Sequence, residues 1–132
     1  MHPDRVALET PDGRLTYAEL AQQASEAAGA LLELGVAPGD RVALALAPGA
    51  AFVAALHGCF LAGAVAVPVD LRLRESERVA RIEGATALVE APLAGAPAGA
   101  LEPLRLDAVA TVMHTSGTTA APRPVALSYG NW

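Results

Sequence analysis

Thr115-Ser116-Gly117-Thr118-Thr119 places four hydroxyls and one glycine in five consecutive positions. Residues of this kind make a poor core but a good cradle. Hydroxyls donate hydrogen bonds, glycine admits close approach, and successive backbone N–H groups can turn inward into a nest for an anion. Phosphate is the natural guest. A hydroxyl cluster taken alone indicates a surface turn, but here Ala120-Ala121-Pro122-Arg123 follows and sets a cation just past the cluster, where a guanidinium can meet a phosphate. The stretch lacks the Gly-x-x-x-x-Gly-Lys-Ser/Thr of a Walker loop, and the chain carries no Gly-x-Gly-x-x-Gly. Apolar β-formers flank it, Val109 to Met113 before and Val125 to Leu127 after, so the loop is expected to join two strands.

From Thr115 to Asn131 the order of residues resembles the signature of the adenylate-forming enzymes, the acyl-CoA synthetase and adenylation-domain superfamily. Thr115, Ser116, Gly117, Thr118, Thr119, Pro122, Val125, Ser128 and Asn131 match. Four positions depart: Ala120 stands for Gly, Arg123 for Lys, Pro124 for Gly and Tyr129 for His. Ser128-Tyr129-Gly130-Asn131-Trp132 is similar to the aromatic-Gly-Asn segment of the o-succinylbenzoate-CoA ligase subfamily. The stretches Leu56 to Gly63 and Leu106 to Thr111 share that softer likeness.

The resemblance implies an α/β fold, the N-terminal portion of the large domain of these enzymes, with βαβ layers and the Ser/Thr/Gly loop between two strands. It implies attack of a substrate carboxylate, o-succinylbenzoate or alternatively another aryl or fatty acid, on the α-phosphate of ATP, release of pyrophosphate, and transfer of the acyl group from AMP to the thiol of CoA; the other alternative is a non-catalytic degenerate module of the same fold. Magnesium is expected to arrive with the nucleotide. Thr115, Ser116, Thr118 and Thr119 are expected to donate hydrogen bonds to the β- and γ-phosphates, Gly117 to allow their approach, and Arg123 to replace the lysine. The adenine and ribose motifs, the carboxylate pocket and the catalytic lysine are expected beyond Trp132, so the isolated chain is expected to be inactive as a ligase. If the family glycine at the Ala120 position has φ above zero, alanine there costs on the order of 1 kcal/mol, and Pro124 removes one N–H.

These residues need a scaffold, and 132 residues allow one domain at most, here 1–132 and incomplete against the family. A net charge of -5 argues against a general nucleic-acid binder. All nine cations are arginine, a compositional bias that accounts for Arg123 in place of lysine. Cys59 is the single cysteine, so no intramolecular disulfide forms; with no signal-peptide pattern at the start, a reducing, cytoplasmic setting is expected. No His, Cys, Asp or Glu pair has metal-ligand spacing.

Arg5 to Glu9 and Arg14 to Thr16, separated by Thr10-Pro11-Asp12-Gly13, read as a hairpin. Thr16 and Glu19 form a capping box that starts a helix at Tyr17, with Leu20, Ala24, Ala27, Ala28, Leu31 and Leu32 on one stripe and Gly35 as its stop. From Val42 to Val69 there is no charged residue. Pro48-Gly49 and Gly63 cut this run into a strand, a helix of 13 residues (50 to 62) and a strand, too short for a bilayer span of about 20 residues and suited to a buried βαβ unit, so no membrane insertion is expected. Residues 70 to 83 read as a turn and an amphipathic helix with a salt-linked solvated face, ended by Gly84. Thr86 to Glu90 reads as a strand, and Ala91 to Pro103 as an irregular surface connection. His57 is expected to pack in the core or on the sheet, Cys59 to be a buried structural thiol, and His114 to act as a spacer before the loop.

Overall fold

The computed structural model describes residues 4–11, 13–98, 107–114 and 124–131. The chain opens with a hairpin of β1 (Val6–Thr10) and β2 (Gly13–Thr16), paired antiparallel with Thr10 opposite Gly13. Gly13, at φ 147°, makes the reversal without a Cβ penalty. Helix α1 (Tyr17–Glu33) starts as the capping box dictates: Glu19 N–H donates to Thr16 Oγ1 at 3.2 Å, and Thr16 N–H donates to Glu19 Oε2 at 2.8 Å. It ends where Gly35 takes φ 88° and Val36 N–H bonds back to the Leu31 carbonyl at 3.1 Å.

Arg41 and the uncharged run after it resolve into β3 (Arg41–Leu44), α2 (Ala50–Leu61) and β4 (Val65–Pro68). β3 and β4 pair in parallel, Val42 beside Ala66. α3 (Glu75–Ile82) then leads to β5 (Ala87–Val89), which pairs in parallel with the other side of β3. β6 (Val109–His114) joins β4 in parallel, and β7 (Pro124–Ser128) closes the sheet antiparallel to β6, giving the order β5-β3-β4-β6-β7. A 3-10 turn, Tyr129–Asn131, follows.

Strand alternation divides the core. Val42, Leu44, Ala66 and Val89 face α1 and α2, where Leu31, Ala55 and Cys59 complete the main cluster, while Val65, Val67 and Val112 form a smaller cluster on their own. Burial on both faces explains why these strands carry no charge beyond the exposed Arg41 at the start of β3. The helices α1 and α2 approach closely through small side chains: an added Cβ on Gly58 would lie 2.7 Å from the Ala27 Cβ.

The segment from Ala91 is irregular and mostly exposed over its described part, as the sequence indicates, yet it is fastened to the first helix. Residues 91–98 run as a strap along α1, with Ala98 N–H donating to the Ser25 carbonyl at 3.1 Å and Gly95 seated against Ala30. That strap widens the buried stripe of α1 to Gly29 and Ala30, whereas Leu32 stays 41% exposed. One expectation needs correction: the salt-linked face over residues 70–83 reduces to Asp70–Arg72, ahead of the helix, and among the described residues the arginines and acids of α3 form no ion pair with one another. Exposed pairs gain too little over hydration to hold a geometry.

Candidate phosphate-binding site

The four strands β3, β4, β5 and β6 are mutually parallel, so their carboxyl ends share one edge of the sheet. In open α/β sheets that edge is where ligands are received. β6 delivers its last residue, His114, to it, and β7 begins directly opposite, at Pro124. Residues 115–123 therefore span two points that lie side by side at the carboxyl edge. Thr115, Ser116, Gly117, Thr118, Thr119 and Arg123 themselves lie outside the described residues. The expectation that strands flank them on both sides holds.

The hairpin that carries the loop is anchored far from it. Tyr129, just past β7, is 8% exposed; its N–H donates to the Ala108 carbonyl at 2.9 Å and its hydroxyl donates to the Ala64 carbonyl at 2.5 Å. Its ring meets Phe60 of α2 edge to face at 5.8 Å. Burial pushes the phenol up to about 12, so it remains a donor across the physiological range. Asn131 Oδ1 accepts from both the N–H (2.9 Å) and the hydroxyl (3.0 Å) of Ser128, closing the turn after the strand. Sequence reasoning registered Tyr129 as a departure from the superfamily motif and as part of the aromatic-Gly-Asn segment, but not as an anchor, because a contact 65 residues away leaves no local signal.

His114 sits half-buried at the strand end, with its Nδ1 enclosed and without a hydrogen-bond partner. Burial first, and then the positive charges of Arg81 and Arg41, hold its imidazole below the ordinary value. A neutral ring at pH 7 offers no cation to a phosphate, in line with a spacer role. His57 departs from expectation. It lies on an exposed position of α2, edge-on to Phe60 at 5.7 Å, and burial of part of the ring lowers its pKa. The thirteen-residue apolar stretch offers more helix circumference than the sheet covers, and the imidazole takes the outward side.

Among the described residues, the one ion pair within residues 70–83 lies after β4, on the same carboxyl edge. Asp70 accepts from Arg72 Nε (3.1 Å), Nη2 (2.9 Å) and backbone N–H (2.9 Å). These bonds hold the Asp70 carboxyl down to about 2. The spacing Asp-x-Arg was the available cue, since a carboxylate can bond the amide two residues on. Among the described residues no group of three His, Cys, Asp or Glu could hold a metal ion. Nor is any helix among them long and apolar enough to cross a membrane. A cleft of about 240 Å³ between α1, α2 and the strap is lined by Gln23, Glu26, Ala51, Ala54, Pro92 and Leu93. No residue of the hairpin takes part in it.

Cys59 is fully buried in the main cluster, and burial pushes its thiol up to about 12. Iodoacetamide at pH 8 is expected to leave it unmodified in the folded chain and to label it in urea, followed by intact mass. Stoichiometric labelling of the folded chain would contradict this packing.

With this geometry established, three comparisons bear on the chain. A profile described as "AMP-binding enzyme" matches residues 1–89. A 2-succinylbenzoate–CoA ligase of Bacillus licheniformis is 35% identical over 98% of this chain and 32% of its own length. A feruloyl-CoA synthase of Amycolatopsis is 34% identical over 99% of this chain and 32% of its own. Among solved structures, o-succinylbenzoate coenzyme A synthetase from Bacillus subtilis in complex with AMP superposes with a TM-score of 0.83 at 31% identity, covering 99% of this chain and 40% of that one. The chain thus spans about a third of the length of the curated relatives it matches.

Proposed function

We propose, from the premise that the chain belongs to the AMP-binding enzyme family, that it is the N-terminal part of the large domain of an ATP-dependent acid–CoA ligase. Its proposed task is to hold the phosphate tail of ATP. The observation that carries this reading is the placement of the hairpin β6–β7, which opens its hydroxyl-rich connection at the carboxyl edge of the parallel strands. In the reaction, a carboxylate oxygen bonds to the α-phosphorus while the bond from that phosphorus to the bridging oxygen breaks, and pyrophosphate leaves. The thiol sulfur of CoA then bonds to the acyl carbon and AMP departs. Little covalent chemistry falls to this part of the protein; positioning and charge neutralisation of the leaving phosphates are its work. Thr115, Ser116, Thr118 and Thr119 donate to the β- and γ-oxygens, Gly117 keeps the backbone close, and Arg123 neutralises charge. Magnesium is carried with the nucleotide.

The small-molecule acid is proposed to be o-succinylbenzoate, the substrate class in the name of one relative and of a structural neighbour. A second aryl acid is the alternative, because a feruloyl-CoA synthase is matched at nearly the same identity. The buried thiol of Cys59 is in keeping with a reducing, cytoplasmic setting. The test is titration of the 15N-labelled chain with ATP and with inorganic tripolyphosphate. Amide shifts at residues 115–119 are expected with both, and none with adenosine. Unmoved loop amides would overturn the phosphate reading. ATP/pyrophosphate exchange by the isolated chain is expected to be absent, and turnover would overturn its being a part.

A further inference from the structure

We propose that Tyr129 is a positioning residue that fixes the register of the β6–β7 hairpin and thereby the point where the phosphate loop re-enters the sheet, which rests on the phosphate reading above. β7 lies at the edge of the sheet, with β6 as its neighbour in the strand order. A two-residue turn would set the register of such a hairpin from its tip. Here the connection runs from residue 115 to 123, nine residues, and a connection that long does not dictate pairing. The ladder itself contains the alternative. Val109 stands opposite Ser128 but Thr111 stands opposite Leu127, so β6 carries one extra residue, a bulge, at the end remote from the loop. Dissolving that bulge moves every pair above it by one position.

What holds the bulged arrangement is the residue next to it. The Tyr129 N–H ties the end of β7 to Ala108, just before β6. Its hydroxyl ties the same point to Ala64, just before β4, and its ring meets Phe60 of α2 edge to face. The Ser128–Asn131 bonds start the 3-10 turn at that place and at no other. β7 is thus pinned at its far end to two other elements, and the pin is transmitted along an extended strand to Pro124, opposite His114. Arg123 immediately precedes Pro124. A one-residue slip moves Pro124, the point where the loop re-enters the sheet, about 3.3 Å along the ladder. Phosphate contacts do not survive a misplacement of that size.

Three variants test this. Tyr129→Phe keeps the ring and removes the hydroxyl. Leu31→Val trims the core on α1 and serves as a control for lost stability alone. Met113→Cys with Val125→Cys, at positions directly opposite in the native register, locks that register when oxidised. In Tyr129→Phe, cross-strand NOEs offset by one residue are expected beside the native set, with tripolyphosphate affinity weakened about tenfold. Leu31→Val is expected to keep one register and the parental affinity. Oxidising the cysteine pair in the Tyr129→Phe background is expected to restore both, and the same cross-linked chain is used if Tyr129→Phe alone does not fold. Retention of a single register and full affinity in Tyr129→Phe overturns the proposal, as does a cross-linked Tyr129→Phe chain that still binds poorly. If the parent chain ignores tripolyphosphate, the phosphate reading fails by itself, and the NOE patterns still decide whether Tyr129 sets the register.

Discussion

Gly29→Val is expected to unfold the chain or to lower its stability by about 3 kcal/mol, the upper range for forced overpacking. A Cβ at this position would be driven into the Ala96 carbonyl oxygen, with the Ala98 nitrogen only 3.3 Å away. Both are backbone atoms and cannot swing aside as a side-chain tip would. The strap must lift, which costs the Ala98–Ser25 hydrogen bond and uncovers the faces of Gly29, Ala30 and Gly95. Urea denaturation followed by far-UV circular dichroism measures the change. A Gly29→Val chain as stable as the parent would mean that residues 91–98 do not lie on α1.

Arg123→Ala is expected to lower kcat/KM for ATP/pyrophosphate exchange about 100- to 1000-fold, the range seen when one stabilising donor is removed from a transition state. The measurement requires this chain joined to the remaining two thirds of a matched ligase. Arg123→Lys is expected to keep much of the rate, since a cation remains, although the ammonium lacks the planar fork of the guanidinium. A change below about threefold in Arg123→Ala, judged on that same transition-state scale, would remove the arginine from the phosphate site. Unchanged circular dichroism would show that the loss is local.

Local signals proved legible and long-range ones did not. Thr16 and Glu19 announced the start of α1 because a capping box is contained within four residues. Pro48-Gly49 and Gly63 divided the uncharged run at the places where α2 begins and ends. The strap escaped notice because a Pro/Gly/Ala segment has no periodicity, and its partner on α1 is about as plain in composition. Leu32 was placed on the buried stripe from spacing alone, but the strap covers the side of α1 that bears Gly29 and Ala30. For the loop, the residue types and their order indicated phosphate, and the flanking strands are where the sequence placed them. The pin at Tyr129 was invisible because it depends on Ala64 and Phe60, whose nearness arises only once the sheet is assembled.

The strap also bears on how the protein is made. Ser25 and Ala98, joined by one hydrogen bond, leave the ribosome several seconds apart at about 5–20 residues per second. During that interval the alanine-rich side of the first helix has been synthesised while its cover has not. A nascent chain stalled before residue 98 would therefore present a naked apolar ridge to chaperones, and a pause in translation there would favour their capture of it over self-association.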